Sequence, residues 1–204
     1  MAKYHRCLQY SDEYDNLRRG LPTSSRFDKI ITPTGKASTS WQDYAFQLVA
    51  ERLSHEPDDQ YASMWMDRGL EIEPEAVEAY ELINEVNTET IGFVTNNEGT
   101  IGCSPDRLIG NIGLLEIKSP KAATVLKYRH KKEIDAKYKP QLQGQLYVTE
   151  REWVDIFAYH PDIYPCCIRV ERDDSYIKKM AGLLDDFVIF IAEIYEKENK
   201  LLIK

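Results

Sequence analysis

The chain has 204 residues, of which 43% are hydrophobic and 29% charged. This is an ordinary globular composition, which excludes a disordered or fibrous protein, and the length predicts a single domain whose core is large enough to fold without disulfides. The formal net charge of −8 is unlike that of proteins that coat nucleic acid, although it leaves room for one that binds nucleic acid through a local basic patch.

The four cysteines are not spaced like a zinc site or a disulfide framework, so we expect reduced thiols in a cytosol. They are Cys7, Cys103, Cys166 and Cys167. The N-terminal residues lack the apolar core of a signal peptide, and the longest apolar stretch, 187–195, is far shorter than a bilayer span. The sequence therefore predicts a soluble, non-exported protein without a membrane segment.

The first part of the chain, residues 1–89, is predicted to be mainly helical. The expected helices lie at 11–18, 24–31, 40–54 and 60–86. Thr23 or Ser24 is expected to cap the second helix. The last of the four is predicted in two pieces, because Gly69 and Pro74 interrupt its periodicity and Pro74 suits the first turn of a new helix.

From residue 90 the pattern changes to short β-branched and glycine-containing segments. The predicted elements are a meander of strands at 90–95, 100–104, 105–109 and 113–118, helices at 121–130 and 138–149, strands at 152–160 and 165–171, and a helix at 173–198. Asp173 or Asp174 is expected to cap the last helix. The predicted class is α/β (α+β), a mixed central β-sheet flanked by helices, in one domain with a sheet core at 90–171 and a C-terminal helix at 172–204.

Charge is distributed along the chain in blocks. Residues 51–90 contain twelve acidic side chains and two basic ones, whereas residues 118–139 contain eight basic side chains and two acidic ones. A smaller basic cluster, Arg18, Arg19 and Arg26, lies near the start. Solvated helix faces explain each block equally well when it is considered alone.

The chemically informative segment is 103–120, CSPDRLIGNIGLLEIKSP. Residues two apart in a strand share a face, so Glu116 and Lys118 point the same way. If the preceding turn centres on Asn111, Asp106 lies opposite Glu116, with Cβ atoms about 5 Å apart. Two opposed carboxylates repel each other, and a shared divalent cation is the simplest compensation.

The acid-x-Lys triplet has little value alone, because a chain with 34 acidic residues forms a few by chance and this one has three. Only Glu116-x-Lys118 lies in an apolar strand that follows a Pro-Asp pair at hairpin distance. The structural alternative is a half-exposed strand with a cross-strand ion pair. Carboxylate oxygens suit Mg²⁺ or Mn²⁺, and no cysteine or histidine set in the sequence suits zinc.

The ordered combination of Pro105-Asp106, Glu116-x-Lys118 and an upstream helical glutamate resembles the PD-(D/E)xK nuclease superfamily. More narrowly, the chain resembles the phage lambda-type exonucleases, the alkaline exonucleases of viral recombination. Five pieces occur in the family's order: LRRG (17–20), TSS (23–25), RGLEIEPEA (68–76), CSPD with EIKSP (103–120) and QLQ (141–143). The resemblance implies a restriction-endonuclease-like core with an N-terminal helical elaboration.

The resemblance also implies a role for each matching residue. Asp106 and Glu116 would be metal ligands, together with Glu73 and the main-chain carbonyl of Ile117, and Lys118 would orient and help activate the attacking water. The positions that hold a terminal or scissile phosphate in the family correspond to Arg18, Ser25, Ser104 and Gln141. Each of these four also has an ordinary structural explanation, such as surface solubility or a helix cap. The choice of Glu73 over its neighbours Glu71 and Glu75 depends on the family pattern alone.

The implied activity is a Mg²⁺-dependent 5′-to-3′ exonuclease on double-stranded DNA, and the basic block at 118–139 would lie beside the active site and hold the phosphate backbone. Two ions are implied, with Mn²⁺ as a substitute. The resemblance further implies a homotrimeric ring, a phage single-strand annealing protein as partner, and the cytosol of a bacterial host, with phage or prophage origin.

Two other functions remain open at this stage. The first is a structure-specific or restriction-like DNA endonuclease with the same metal site. The second is a non-catalytic nucleic-acid-binding module, which the presence of Asp106, Glu116 and Lys118 disfavours.

Overall fold

The computed structural model describes residues 1–54 and 64–202, with residues 64–70 described by their backbone alone. The helices are α1 (Asp12–Arg18), α2 (Trp41–Ser54), α3 (Met64–Asn84), α4 (Ala122–Lys131), α5 (Lys139–Thr149) and α6 (Asp174–Leu202), with 3-10 turns at Ser24–Lys29 and Ala136–Tyr138. The strands are β1 (Lys3–His5), β2 (Phe93–Thr95), β3 (Gly102–Cys103), β4 (Arg107–Ile109), β5 (Gly113–Lys118), β6 (Trp153–His160) and β7 (Ile163–Glu171). None of the helices in these ranges is long and apolar enough to cross a membrane.

The strands form two sheets. One is antiparallel with the order β1-β2-β3, and the other has the order β4-β5-β6-β7. In the second sheet β5 and β6 run parallel, while β4 with β5 and β6 with β7 are antiparallel, so the predicted mixed sheet is confirmed. The crossover from β5 to β6 contains α4 and α5, the length of connection that a parallel pair requires.

The predicted meander of strands from 90 to 118 is wrong, because β3 and β4 belong to different sheets. Residues 104–106 leave the ladder between them. Pro105 has no N–H to donate to a neighbouring strand, and its carbonyl instead accepts a hydrogen bond from the Gln9 side chain at 3.3 Å. β1, which pairs with β2, was not predicted, since its three residues are too few to show a periodicity.

The predicted break in the helix at 60–86 is also wrong within the described residues. Helix α3 runs through Pro74, although proline removes one hydrogen bond of the helix. The buried side chains of Ala76, Val77 and Tyr80 follow it and pack with Leu115 of β5, and burial of this apolar stripe outweighs the missing bond. The start of the predicted helix, at 60–63, lies outside the described residues.

The main core lies between the sheets and α2, α5 and α6. Helix α6 buries one face, with Met180, Leu184 and Phe187 almost fully excluded from solvent. Phe187 stacks on Tyr44 of α2 with ring centres 5.5 Å apart. Asp173 caps α6, because its side chain accepts a hydrogen bond from the main-chain N–H of Tyr176 at 2.9 Å. Asp173 is one of the two residues predicted as this cap.

Candidate active site

The β4–β5 hairpin positions the two carboxylates that the sequence pairs. Arg107 lies opposite Leu115 and Ile109 opposite Gly113, which is the predicted register, and Gly110 takes a φ of +50° in the turn. Continuing this register by one residue brings Asp106 beside Glu116. The Asp106 Oδ2 atom accepts the main-chain N–H of Ile117 at 2.5 Å. The two carboxyl groups therefore lie at the same end of the hairpin.

The Glu116 carboxylate is 3% exposed, and its hydrogen bonds hold it in place. Its Oε1 atom accepts from the Lys118 ammonium at 2.5 Å and from the Gln141 amide at 2.6 Å. Its Oε2 atom accepts from the Gln145 amide at 2.6 Å. Gln141 and Gln145 lie one helical turn apart on α5 and so project from the same face. This network fixes the rotamer of a buried charged group.

The electrostatics of the site reflect two acids beside one base. Burial and the neighbouring Glu116 carboxylate raise the pKa of Asp106 well above its ordinary value. Burial alone would lower the pKa of Lys118, but the carboxylates of Glu116 and Asp106 outweigh it and raise that pKa. With both carboxyl groups ionised, the site would hold more negative charge than the single ammonium compensates, which is the condition that favours binding of a cation.

Helix α3 carries Glu71, Glu73 and Glu75, and Glu73 lies nearest to the hairpin site. Its Oε1 atom is 3.1 Å from the Arg107 guanidinium, and it contributes to the raised pKa of Asp106. Glu75 instead accepts the Tyr159 hydroxyl at 2.6 Å, and Glu71 is exposed. Within the described residues, no three aspartate, glutamate, histidine or cysteine side chains are arranged as a metal site, and the Glu73 carboxylate is paired with Arg107.

Two of the predicted phosphate-binding residues are connected through a tyrosine. The buried Tyr14 of α1 shares a hydrogen bond of 2.9 Å with the Ser104 hydroxyl. The Arg18 guanidinium donates to the same tyrosine oxygen at 3.3 Å and lies over the ring, 5.3 Å from its centre. Ser104 is two residues from Asp106, so this group adjoins the carboxylates.

The other two predicted phosphate-binding residues line a cavity of about 400 Å³. Ser25 and Gln141 form part of its wall together with Lys137 and Tyr138. The Lys118 ammonium lies 5.4 Å from the centre of the Tyr138 ring, so the cavity adjoins the site of the two carboxylates. The structure thus brings the predicted site residues to one region, in one group next to Asp106 in the chain and a second group in contact with Glu116 and Lys118.

The basic block at 118–139 does not form one surface. Lys137 lines the cavity, whereas Lys127 pairs with Asp135 at 3.0 Å and Arg129 donates to the main-chain carbonyl of Tyr164. The helix that carries Lys127 and Arg129 packs on β6 and β7. The expectation that the whole block lies beside the site is therefore wrong for these two residues.

Three residues of the site were not predicted from the sequence: Arg107, Gln145 and Tyr14. The QLQGQ segment does contain a signal for Gln145, since residues 141 and 145 are one helical turn apart and both carry amides. Arg107 and Tyr14 contact the site through tertiary packing, for which no spacing rule exists.

Comparisons with known proteins concern the chain as a whole. Residues 13–152 match the model of the YqaJ-like viral recombinase domain. The chain is similar to the alkaline exonuclease LHK-Exo from Laribacter hongkongensis, with 27% identity and a TM-score of 0.83 over 94% of this chain and 98% of that one. The structure of LHK-Exo in complex with dAMP matches with a TM-score of 0.84 at the same identity and coverage.

A phage-related exonuclease from Haemophilus somnus 129PT shares the fold, with 15% identity and a TM-score of 0.67 over 90% of this chain and 99% of that one. A comparison with curated proteins gives no match. Because the matched domain spans well over half of the chain, the protein belongs to the YqaJ-like viral recombinase family.

Proposed function

We propose that the protein is a Mg²⁺-dependent exonuclease that degrades one strand of double-stranded DNA from a 5′-phosphorylated end and leaves a 3′ single-stranded overhang. The observation that carries this proposal is the meeting of Asp106, Glu116 and Lys118 at the end of one hairpin. The similarity to an alkaline exonuclease over 94% of the chain supports it.

The donor set fits a hard divalent cation. Asp106 and Glu116 offer carboxylate oxygens side by side, and burial and then the neighbouring Glu116 carboxylate raise the pKa of Asp106. We propose these two residues as ligands of Mg²⁺, or of Mn²⁺ in its place, with the Ile117 carbonyl and Glu73 completing the set for two ions. When bound, such ions lower the pKa of the attacking water and neutralise charge on the phosphate.

The protein's own side chains have distinct parts in this proposal. The Lys118 ammonium, 2.5 Å from Glu116, orients the water for attack on the phosphorus atom. Gln141 and Gln145 fix the Glu116 carboxylate, so that its oxygens do not reorient during the reaction.

The DNA end is assigned to the two groups beside the carboxylates. Arg18 is a planar guanidinium suited to bidentate contact with a terminal phosphate, and Ser104 adjoins it through Tyr14. Ser25 and Gln141 line the neighbouring cavity, where a phosphate would accept hydrogen bonds from both. LHK-Exo has been solved with dAMP, a 2′-deoxynucleoside monophosphate, which supports release of mononucleotides.

The biological setting that we propose is recombination by strand annealing. The 3′ overhang would be passed to a phage-encoded single-strand annealing protein in the cytosol of a bacterial host. A homotrimeric ring around the DNA would keep the enzyme on its substrate. Membership of a viral recombinase family supports this setting.

The test is digestion of linear duplexes labelled separately at each end, with and without a 5′ phosphate, beside a covalently closed circle. We expect release of label from the 5′ end first, faster digestion of the phosphorylated duplex, and an intact circle. Nicking of the circle would replace the proposal with an endonuclease. A protein that binds the duplexes without releasing nucleotide in Mg²⁺ would be a binding module.

A further inference from the structure

The residue directly after Asp106 is an arginine that engages the third candidate ligand. The Arg107 Nη1 atom is 3.1 Å from Glu73 Oε1, and it also donates to the main-chain carbonyl of Asp106 at 2.6 Å. Both side chains of the ion pair are partly buried, at 19% and 23% exposed. An ion pair in this position is screened less by solvent than one on the surface.

The strand geometry explains why Arg107 meets α3. Arg107 lies opposite Leu115, whose side chain packs with α3, whereas the neighbouring Asp106 lies on the other face of the strand with Glu116. Arg107 is thus placed between the hairpin and the acidic helix. Its charge also acts on Glu81, one of the influences that lower the pKa of that carboxyl.

The ion pair competes with a cation for the same oxygen. A Glu73 carboxylate that is paired with a guanidinium has less negative charge to offer to a divalent ion. For Glu73 to join the ligands of a metal, its contact with Arg107 must be given up. The free energy of the Arg107–Glu73 contact therefore reduces the free energy gained when the ion binds.

We propose that Arg107 forms an ion pair with Glu73 that competes with the metal for this carboxylate. The ion pair thereby sets the affinity of the enzyme for divalent cations. This inference rests on the proposed function, since it takes Asp106 and Glu116 as the metal-binding pair. Arg107 is a positioning residue in this account: it acts on the metal through Glu73.

The experiment is calorimetric titration of Mn²⁺ into protein stripped with EDTA, without DNA. We expect R107Q to bind Mn²⁺ about fivefold more tightly than the wild type, the gain that corresponds to an ion pair worth about 1 kcal/mol. R107K keeps the positive charge and should stay within about twofold of the wild type. The matched control is R129Q, which removes an exposed arginine on α4 and should leave Mn²⁺ binding unchanged.

A double mutant separates this role from a general effect of charge. The gain in R107Q should vanish in the E73Q background, so that E73Q/R107Q binds Mn²⁺ as E73Q does. A gain that persists without the Glu73 carboxylate, or an R107Q affinity equal to that of the wild type, overturns the inference while the proposed function stands. If the wild type binds no Mn²⁺, the proposed metal site itself fails. Thermal unfolding confirms that each variant is folded, and R107M, which keeps the apolar stem, replaces R107Q if that variant is not.

Discussion

Replacing Asp106 by asparagine should make the metal-free protein more stable, although it removes a residue of the proposed active site. Asparagine keeps a side-chain oxygen that can accept the Ile117 N–H, the bond that Asp106 makes at 2.5 Å. What disappears is the charge beside Glu116. The raised pKa of Asp106, caused by burial and then by Glu116, means that ionising this group opposes folding at neutral pH.

The size of the effect follows from the charges. Two carboxylates about 5 Å apart, the Cβ spacing of directly opposed residues, repel each other by roughly 3 kcal/mol at an effective dielectric constant near 20, and the Lys118 ammonium offsets most of this. A net gain of about 1 kcal/mol remains, which corresponds to a rise in Tm of about 2–4 °C for a chain of this length. The gain in stability is complete above the raised pKa of Asp106 and decreases as the pH falls below that value. It vanishes below the ordinary pKa of an aspartate, where the carboxyl is protonated in the folded and unfolded states alike.

The assay is thermal unfolding in EDTA at several pH values, for the wild type, D106N and the exposed-surface control D186N. In excess Mg²⁺ the order should reverse, since the wild type gains stability by binding the ion and D106N loses a ligand. A Tm of D106N several degrees below that of the wild type in EDTA would refute the reasoning. It would mean that the Asp106 charge stabilises the fold through Lys118 or the Ile117 N–H.

Four further outcomes are expected. Arg18→Ala should abolish the preference for 5′-phosphorylated over 5′-hydroxyl duplexes in a competition digest, and an unchanged ratio would show that another group binds the end. Gln145→Leu should reduce turnover about 10–100-fold with little change in KM, measured by nucleotide release, because the Glu116 carboxylate loses a hydrogen bond that fixes it. Asp173→Ala should lower the free energy of unfolding in urea by about 1 kcal/mol, because the α6 cap is lost. A lysine ammonium and the cap hydrogen bond lower the pKa of Asp173 in the folded protein. The contribution of Asp173 to stability is therefore present above its unfolded pKa and is lost as the pH falls through the lower folded value. The Cys167 residue is exposed, but partial burial of its thiol and then an adjacent carboxylate raise its pKa to about 12. We therefore expect it to react with iodoacetamide at pH 8 roughly a thousandfold more slowly than a free thiol, as followed by mass spectrometry. Reaction at the rate of a model peptide would contradict this.

The β4–β5 hairpin was predictable because its signals are local. A glycine and an asparagine in the turn and a regular alternation of side chains fix the register within a few residues, and the pairing of Arg107 with Leu115 follows that register. The apolar face of α6 was predictable for the same reason, since its period of 3.6 extends over the whole helix. That α6 packs on α2 was not, because periodicity identifies a buried face without naming its neighbour.

The failures share a physical cause, which is that tertiary contacts override local preference. Pro74 is a local helix breaker, but α3 continues because its apolar stripe packs on the sheet. The meander was expected to continue through Pro105, whose missing N–H separates the two sheets. The contact of Arg107 with Glu73 joins residues far apart in the chain, and nothing in the sequence around either residue predicts it.

The family resemblance predicted more of the site than the spacing of residues did. Spacing alone identified Asp106, Glu116 and Lys118, whereas the choice of Glu73 among three nearby glutamates came from the family pattern. The structure distinguishes the three glutamates physically, since Glu75 accepts a hydrogen bond from the Tyr159 hydroxyl and Glu71 faces solvent.

The most direct test of the account compares nucleotide release from a 5′-phosphorylated linear duplex by the wild type and by Lys118→Met, at matched Mg²⁺ and with folding checked by thermal unfolding. The account predicts that the variant stays folded and still binds the duplex but loses activity by about 10²–10⁴-fold, because the group that orients the attacking water is gone. A folded variant that releases nucleotides at the wild-type rate would contradict the central claim that this hairpin is the catalytic site.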